Sequence, residues 1–329
     1  MAYGVKSLKY IQWGAETTAG TTRAATAIWR GEGTMTDDSP IEFVPEDVGF
    51  LQDQGRTYMP RVGVVVELDE TPATFEQFPY LLAMGVDSAL AGVLDTGGSG
   101  YLYAGTLATN AVKAPKTYTV EVGDNAQEYE SPHFFCEEFN LSGAKNEAVM
   151  MSATLRGRQM VASTKTSLTL AAVDEVIFNK GKLYIDTTTV GTTQVVGTWL
   201  GFSLKVPTGF QPVYTGDGAL YFSAIKQASL RDVTGELILE HDATGMAELL
   251  LAQAETTRLV RMIFEGPALT TSGAAYTYKT LKIDLAIKYT GVPSLEDDDG
   301  DDVLTFPFKM VYSTQGGVIT CVNSLSALT

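Results

Sequence analysis

Few residues in this chain have the types and spacing to do chemistry. Leu94-Asp95-Thr96-Gly97-Gly98-Ser99-Gly100 offers a carboxylate in a glycine-rich turn, one half of a pair that could share a proton and activate a water. The other half is missing. Asp186-Thr187-Thr188, Asp217-Gly218-Ala219 and Asp242-Ala243-Thr244 all depart from the Asp-Thr-Gly or Asp-Ser-Gly pattern that a second carboxylate would need. The segment therefore reads as a turn between strands. The acidic run Glu296-Asp297-Asp298-Asp299-Gly300-Asp301-Asp302 suggests calcium. Placing Gly300 at the sixth position of a calcium loop puts Leu295 first and Phe306 twelfth, where oxygen ligands are required, so the run reads as a solvated loop. His133 and His241 are the only histidines, and Cys136 and Cys321 lie far apart, which leaves no zinc site and no disulfide framework. Neither a nucleophile elbow nor a phosphate-binding glycine loop is present. The expectation is no catalytic, cofactor-binding or metal residue, no cofactor, and no enzyme.

The elements around these residues are mostly strands. Thr, Val, Tyr and Phe are frequent, and these side chains suit a half-buried pleated surface. Alternation predicts strands over 118–122, 281–289 and 306–312. In the second, Leu281, Ile283, Leu285, Ile287 and Tyr289 share one face, and Lys282, Asp284, Ala286 and Lys288 the other. Two short helices are expected. One lies within 74–84, capped by Thr74 and shortened or broken by Pro79. The other spans 244–254, where Met246, Leu249, Leu250 and Gln253 follow helical spacing. Residues 45–60 form a long loop carrying Phe50, Leu51 and Tyr58, and exposed apolar residues on such a loop call for a partner.

The chain contains an internal repeat. Trp29-Arg30-Gly31 returns 170 residues later as Trp199-Leu200-Gly201, and Leu81-Leu82-Ala83 returns 169 later as Leu250-Leu251-Ala252. Between them, Val64-Val65-Val66-Glu67 matches Leu237-Ile238-Leu239-Glu240. The implied organisation is an N-terminal arm (1–26), a first module (27–165), a second module (166–312) and a C-terminal arm (313–329) that includes an added strand near 316–322. The expected fold is mainly β: two similar sandwich or barrel modules, each with a short flanking helix, plus extended terminal arms.

Over 329 residues the composition is 45% hydrophobic and 19% charged, which is globular rather than disordered. No apolar stretch is long enough to cross a membrane, and the start of the chain lacks the pattern of a signal peptide, so no membrane partner is expected. The net charge of −16 is the reverse of what a nucleic-acid binder carries. It suits a surface that a polyanion must pass without sticking.

The opening Gly14-Ala15-Glu16-Thr17-Thr18-Ala19-Gly20-Thr21 is similar to the small, Glu-Thr-rich start of many tail tube proteins of long-tailed bacteriophages. A β-rich module with one helix and a long loop between early strands also resembles their fold. The resemblance implies a structural protein of the virion tail, assembled in the host cytoplasm. Its copies would form stacked rings, trimeric for two fused modules, around an inner β-barrel. Double-stranded DNA would pass through without specific binding, and partners would include the tape measure, tail tip and terminator proteins. It further implies that Phe50, Leu51, Asp53, Arg56 and Tyr58 form a ring-stacking loop. Glu67, Glu137, Glu240 and Asp284 are the candidates for the lumen, with Lys282 and Lys288 making the last face mixed. The rival expectations are a related baseplate or tail-tip ring, a β-sandwich binding module of non-viral origin, and an aspartic-protease-like enzyme built on Asp95.

Overall fold

The computed structural model describes residues 3–52, 55–107, 109–228, 231–291, 293–298 and 300–329. The fold is mainly β, with large antiparallel sheets and two α-helices. The first half of the chain contains β1 (Tyr10–Ala15), β2 (Ala27–Ile28), β3 (Gly33–Asp37) and the small hairpin β4 (Glu42–Phe43) and β5 (Thr57–Tyr58). Next come β6 (Val64–Pro72), α1 (Phe78–Gly85), β7 (Val93–Leu94) and β8 (Tyr101–Thr106). It ends with β9 (Tyr118–Gly123), β10 (Glu128–Ala144), β11 (Met150–Gly157) and β12 (Val161–Ser163). The second half opens with β13 (Gly181–Asp186), β14 (Gln194–Val195), β15 (Trp199–Pro207) and a second small hairpin, β16 (Phe210–Val213) and β17 (Ala224–Gln227). It continues with β18 (Thr234–Glu240), α2 (Ala243–Gln253) and β19 (Arg258–Ala268). The last strands are β20 (Tyr278–Tyr289), β21 (Ser294–Asp298), β22 (Asp301–Met310) and β23 (Val318–Asn323).

The pairing order is the same in both halves. The first runs β2-β1-β9-β10-β11-β6-β3 and the second β14-β13-β19-β20-β22-β18-β15. Each helix follows the corresponding strand, α1 after β6 and α2 after β18, and each small hairpin sits in the preceding connection. Strands β6 and β18 begin 170 residues apart, at Val64 and Thr234. That agrees with the tryptophan and helix anchors. The sequence match of Val64 with Leu237 is therefore slid by three residues, because runs of apolar residues on a strand look alike at several registers.

Each half folds as two facing layers. Ile11 of β1 lies across the core from Gly33 of β3, and Phe264 of β19 packs on Phe202 of β15 at 5.7 Å between ring centres. The long strand β10 serves both layers. Its first part pairs with β9 and β12, its last part with β11 and β15, and register shifts near His133 and Glu137 bend it between them. In the second half that duty is divided. β20 pairs with β19 and β23 and touches β22 at its end, and β21 then continues along β22.

The two halves join where β10 pairs with β15, Leu141 opposite Leu204 and both buried. This produces one continuous eight-stranded sheet in the order β3-β6-β11-β10-β15-β18-β22-β21. Among the described residues the pairings branch but never return on themselves, so no barrel closes within a single chain.

Several expectations need correction. Pro79 does not break α1. It lies in the first turn, where its missing N–H leaves no bond unmade, and Gln77 rather than Thr74 is the cap residue. Thr74 Oγ instead accepts from the Gln77 N–H ahead of the helix. In α2 the buried positions are Gly245 and Glu248, while Met246, Leu250 and Gln253 face outward. Glu248 decides this orientation. It receives two bonds from Arg258, at 2.7 and 3.0 Å, and one from the Tyr289 hydroxyl at 2.7 Å, all inside the protein. The segment 1–26 is not a free arm throughout. It supplies β1, whose Trp13 is fully buried against Trp29 and Tyr80. The C-terminal segment does carry the expected added strand, as β23, but it too is no free arm, since β23 bridges β20 and β8 and buries Cys321.

Candidate functional site

The eight-stranded sheet has two unlike faces. On β6 the buried Val64, Val66 and Leu68 alternate with Val65, Glu67 and Asp69, and on β11 Met151, Ala153 and Leu155 alternate with Ser152, Thr154 and Arg156. The same alternation continues on β15, β18 and β22. One face is thus the apolar wall of both cores, and the other is a broad polar surface. Three of the four candidate lumen acids lie on this polar face. Glu67 stands opposite Thr154, which stands opposite Glu138. Glu137 occupies the bulge of β10, and Glu240 ends β18 on the same side as Glu236. Asp284 is elsewhere. It is buried on β20 in the other layer, held by Arg261 at 2.6 and 2.9 Å, and that pairing raises the Arg261 pKa. The alternation of Asp284 with Ile283 and Leu285 matches the pattern on the polar-faced sheet, because period two names a face but not a layer.

The polar face is mixed in charge. Arg156 donates to Glu137 at 3.1 Å and to Asp38 at 2.6 Å, and Arg61 also reaches Asp38 at 2.8 Å. The Arg61 hydrogen bond holds the Asp38 carboxyl below its ordinary pKa. Lys205 pairs with Glu138 at 2.9 Å. These partly exposed pairs fix side chains more than they stabilise, at roughly 0–1 kcal/mol each.

The sheet ends at two strands whose outer edges have no partner among the described residues, β3 and β21. Met35 on β3 pairs with buried Val66, and Leu295 on β21 pairs with buried Leu304, so both point to the apolar side. Leu295 nevertheless remains 60% exposed, because no strand lies beyond it among the described residues. Sequence reading missed both edges. The available signal was a single leucine at the head of an acidic run.

The loop 45–60 is the tip and return of the β4–β5 hairpin. Phe50, Leu51 and Tyr58 are exposed on it, as are Ile41 and Phe43 at its base, and Leu51 is 100% exposed. Arg56 reaches Glu46 at 2.9 Å. Asp53 lies outside the described residues. The corresponding hairpin β16–β17 is docked: Phe210 and Phe222 bury against Phe135 of β10. Arg158 donates to the Phe222 carbonyl at 2.9 Å, and the Val62 N–H donates to the Leu220 carbonyl.

The residues that could do chemistry are tied up. The Asp95 carboxylate accepts from the Ala275 and Tyr276 N–H groups and so closes a turn, with no second carboxylate poised beside it among the described residues. Cys136 and Cys321 are fully buried, which pushes both thiols well above their ordinary pKa and keeps them from acting as thiolates. His133 is pushed down to about 4 by burial and by nearby Arg158. No cluster of His, Cys, Asp or Glu among the described residues has the arrangement to hold a metal ion. No helix among them is long and apolar enough to cross a membrane. Compared with models of known protein families and with curated protein sequences, the chain matches none.

Proposed function

We propose that this chain is a structural assembly protein whose copies join edge to edge into rings, and that the rings stack into a hollow tube of the kind found in long-tailed phages. The observation that carries the reading is the eight-stranded sheet with two open edges. The junction of β10 with β15 already joins one half of the chain to the next, and β21 stands in the second half where the last part of β10 stands in the first. Strand β3 likewise stands where β15 stands. Pairing β21 of one copy with β3 of the next repeats the internal junction and covers Leu295 and Met35. It also removes the exposed edges that would otherwise invite aggregation.

Three copies would supply three times eight, or 24, strands. With strands about 4.8 Å apart and tilted by about 35–45°, the closed sheet is a backbone cylinder roughly 45–50 Å across, wide enough for a DNA duplex to pass. The polar face, with Glu67, Glu137 and Glu240, would line that channel, because the apolar face is covered by each half's own core. Its alternating acids and ion-paired bases would offer phosphates no continuous basic track.

Electron microscopy of the purified protein over a concentration series tests the reading. The expected result is hollow rings or tubes with threefold or pseudo-sixfold end views. Particles that remain monomeric throughout the series would overturn it.

A further inference from the structure

We propose that the β4–β5 hairpin is a lateral clasp, and that it docks in a groove of a neighbouring copy within the same ring. The inference rests on the ring reading for the head-to-tail order of copies, and it gives the hairpin a role other than ring stacking.

The argument is that the chain already contains one example of this contact. The hairpin β16–β17 leaves the end of β15, and β15 pairs with β10 of the other half. The hairpin then folds over that neighbouring half. It covers Phe135 of β10, is held by Arg158 just past the end of β11, and meets Val62 just ahead of β6. In that position Phe210 is 1% exposed. The hairpin β4–β5 leaves the end of β3 in the same way, but among the described residues of one chain no strand pairs beyond β3. Its Ile41, Phe43, Phe50 and Leu51 are left in solvent.

The receiving surface is present and, among the described residues, empty. Past the end of β22 and just ahead of β18, the places that match Arg158 and Val62, lies an open groove of about 560 Å³ lined by Val112, Arg231, Asp232, Lys309, Met310 and Tyr312. Tyr312 is 68% exposed there although large and aromatic. One wall of this groove, Val112, comes from the connection after β8 in the first half; the rest, from Arg231 to Tyr312, belongs to the half that carries β21, the strand that would pair with β3 of the next copy. A single arrangement of copies therefore brings the open edge to its partner and the exposed hairpin to the groove. The hairpin carries Glu42, Glu46 and Asp47, with Glu46 paired to Arg56; in the groove Arg231 is tied to the carbonyls of Val86, Thr106 and Thr208, and Lys309, paired to Asp232 at 2.7 Å and half exposed, is the cation an incoming acid would meet.

Two experiments test the clasp. In the first, natural-abundance and ¹⁵N-labelled chains are mixed, assembled and treated with a zero-length carbodiimide. Bonds between copies that join Glu46 or Asp47 to Lys309 are expected. Bonds from those acids only to their own chain or to lysines elsewhere would overturn the proposal. In the second, an arm variant (Phe50→Asp with Leu51→Asp) and a groove variant (Tyr312→Asp) are compared. All three positions are exposed, so each variant should melt as the wild type does. Each should need at least about tenfold more protein to assemble, the equivalent of one lost apolar contact. An equal mixture of the two should form pairs and nothing larger, since only one arm and one groove remain competent in each pair. Either variant assembling at the wild-type concentration would overturn the clasp. Tubes built normally by the arm variant would sink the clasp and leave the tube reading standing. Arm-to-groove bonds in a protein that makes no tubes would do the reverse.

Discussion

Leu295 gives the sharpest test of edge joining. It is the one large apolar side chain on β21, it points to the apolar side, and it is 60% exposed in a single copy. Fully burying a leucine is worth about 1.5–3 kcal/mol, so covering the exposed share contributes about 1–2 kcal/mol per contact, or roughly a 5- to 30-fold change in the protein concentration needed to assemble. Leu295→Ala should raise that concentration by this factor. Leu295→Lys should raise it further, since a lysine pointing inward from an edge strand must be desolvated when the edge is covered. Neither change touches a filled site in the lone chain, so monomer stability should stay within about 0.5 kcal/mol of wild type. Light scattering and sedimentation over a concentration series measure the first effect, and a thermal melt of dilute protein measures the second. If both variants fold and assemble at the wild-type concentration, β21 is not the joining edge and the argument from the internal junction fails.

Other outcomes follow from the cores and the hairpins. Glu248→Ala leaves Arg258 charged and unpaired inside the protein and should cost about 3–5 kcal/mol, read as a lower denaturation midpoint, whereas Glu248→Leu combined with Arg258→Met should recover most of the loss. His133 has a folded pKa pushed down to about 4 from an ordinary 6.5, so the unfolded chain takes up its proton first. Stability should be unaffected by this group above about pH 6.5 and should fall as pH drops from there toward 4, and His133→Asn, which tolerates the positive φ of 65° at that position, should remove that component from a pH series of melts. The same acidification should loosen the β16–β17 hairpin, because the His133 ring lies 5.2 Å from Phe222 and a second cation beside Arg158 is unfavourable; hydrogen exchange over 210–227 would report it. Asp95→Ala should destabilise by about 1–3 kcal/mol by stranding the N–H groups of Ala275 and Tyr276, and should abolish no hydrolytic activity in a peptide-cleavage assay.

Much of the strand content is legible in the sequence because each strand with one buried face alternates visibly. On β22, Phe306 and Phe308 are buried while Pro307 and Lys309 are not, as their spacing requires. The helices are located by the same means but not oriented. Met246, Leu249, Leu250 and Gln253 on α2 follow helical spacing, but of these only Leu249 packs against the core, and the buried side chain is Glu248, whose partners Arg258 and Tyr289 lie 10 and 41 residues further along the chain. No local pattern could supply that. Trp13 falls in a segment that reads as a polar arm for a related reason: β1 is short, and its core is built from Trp29, Tyr80 and Val120, which only the fold brings together.

The sequence by itself determined the secondary-structure class, the absence of recognisable catalytic motifs, and the existence of a repeat, since all three are carried by residue type and spacing along one chain. It also placed an apolar loop where an apolar loop is exposed. Only the tertiary structure decided which acids share a surface, separating Asp284 from Glu67, Glu137 and Glu240, because alternation specifies a face and not the sheet that owns it. Only the tertiary structure, too, revealed that one small hairpin is docked and its counterpart is not, and that the joined sheet stops, among the described residues, at β3 and β21. An open edge is a property of what is absent beside a strand, and neighbours beside a strand are set by long-range pairing rather than by the strand's own residues.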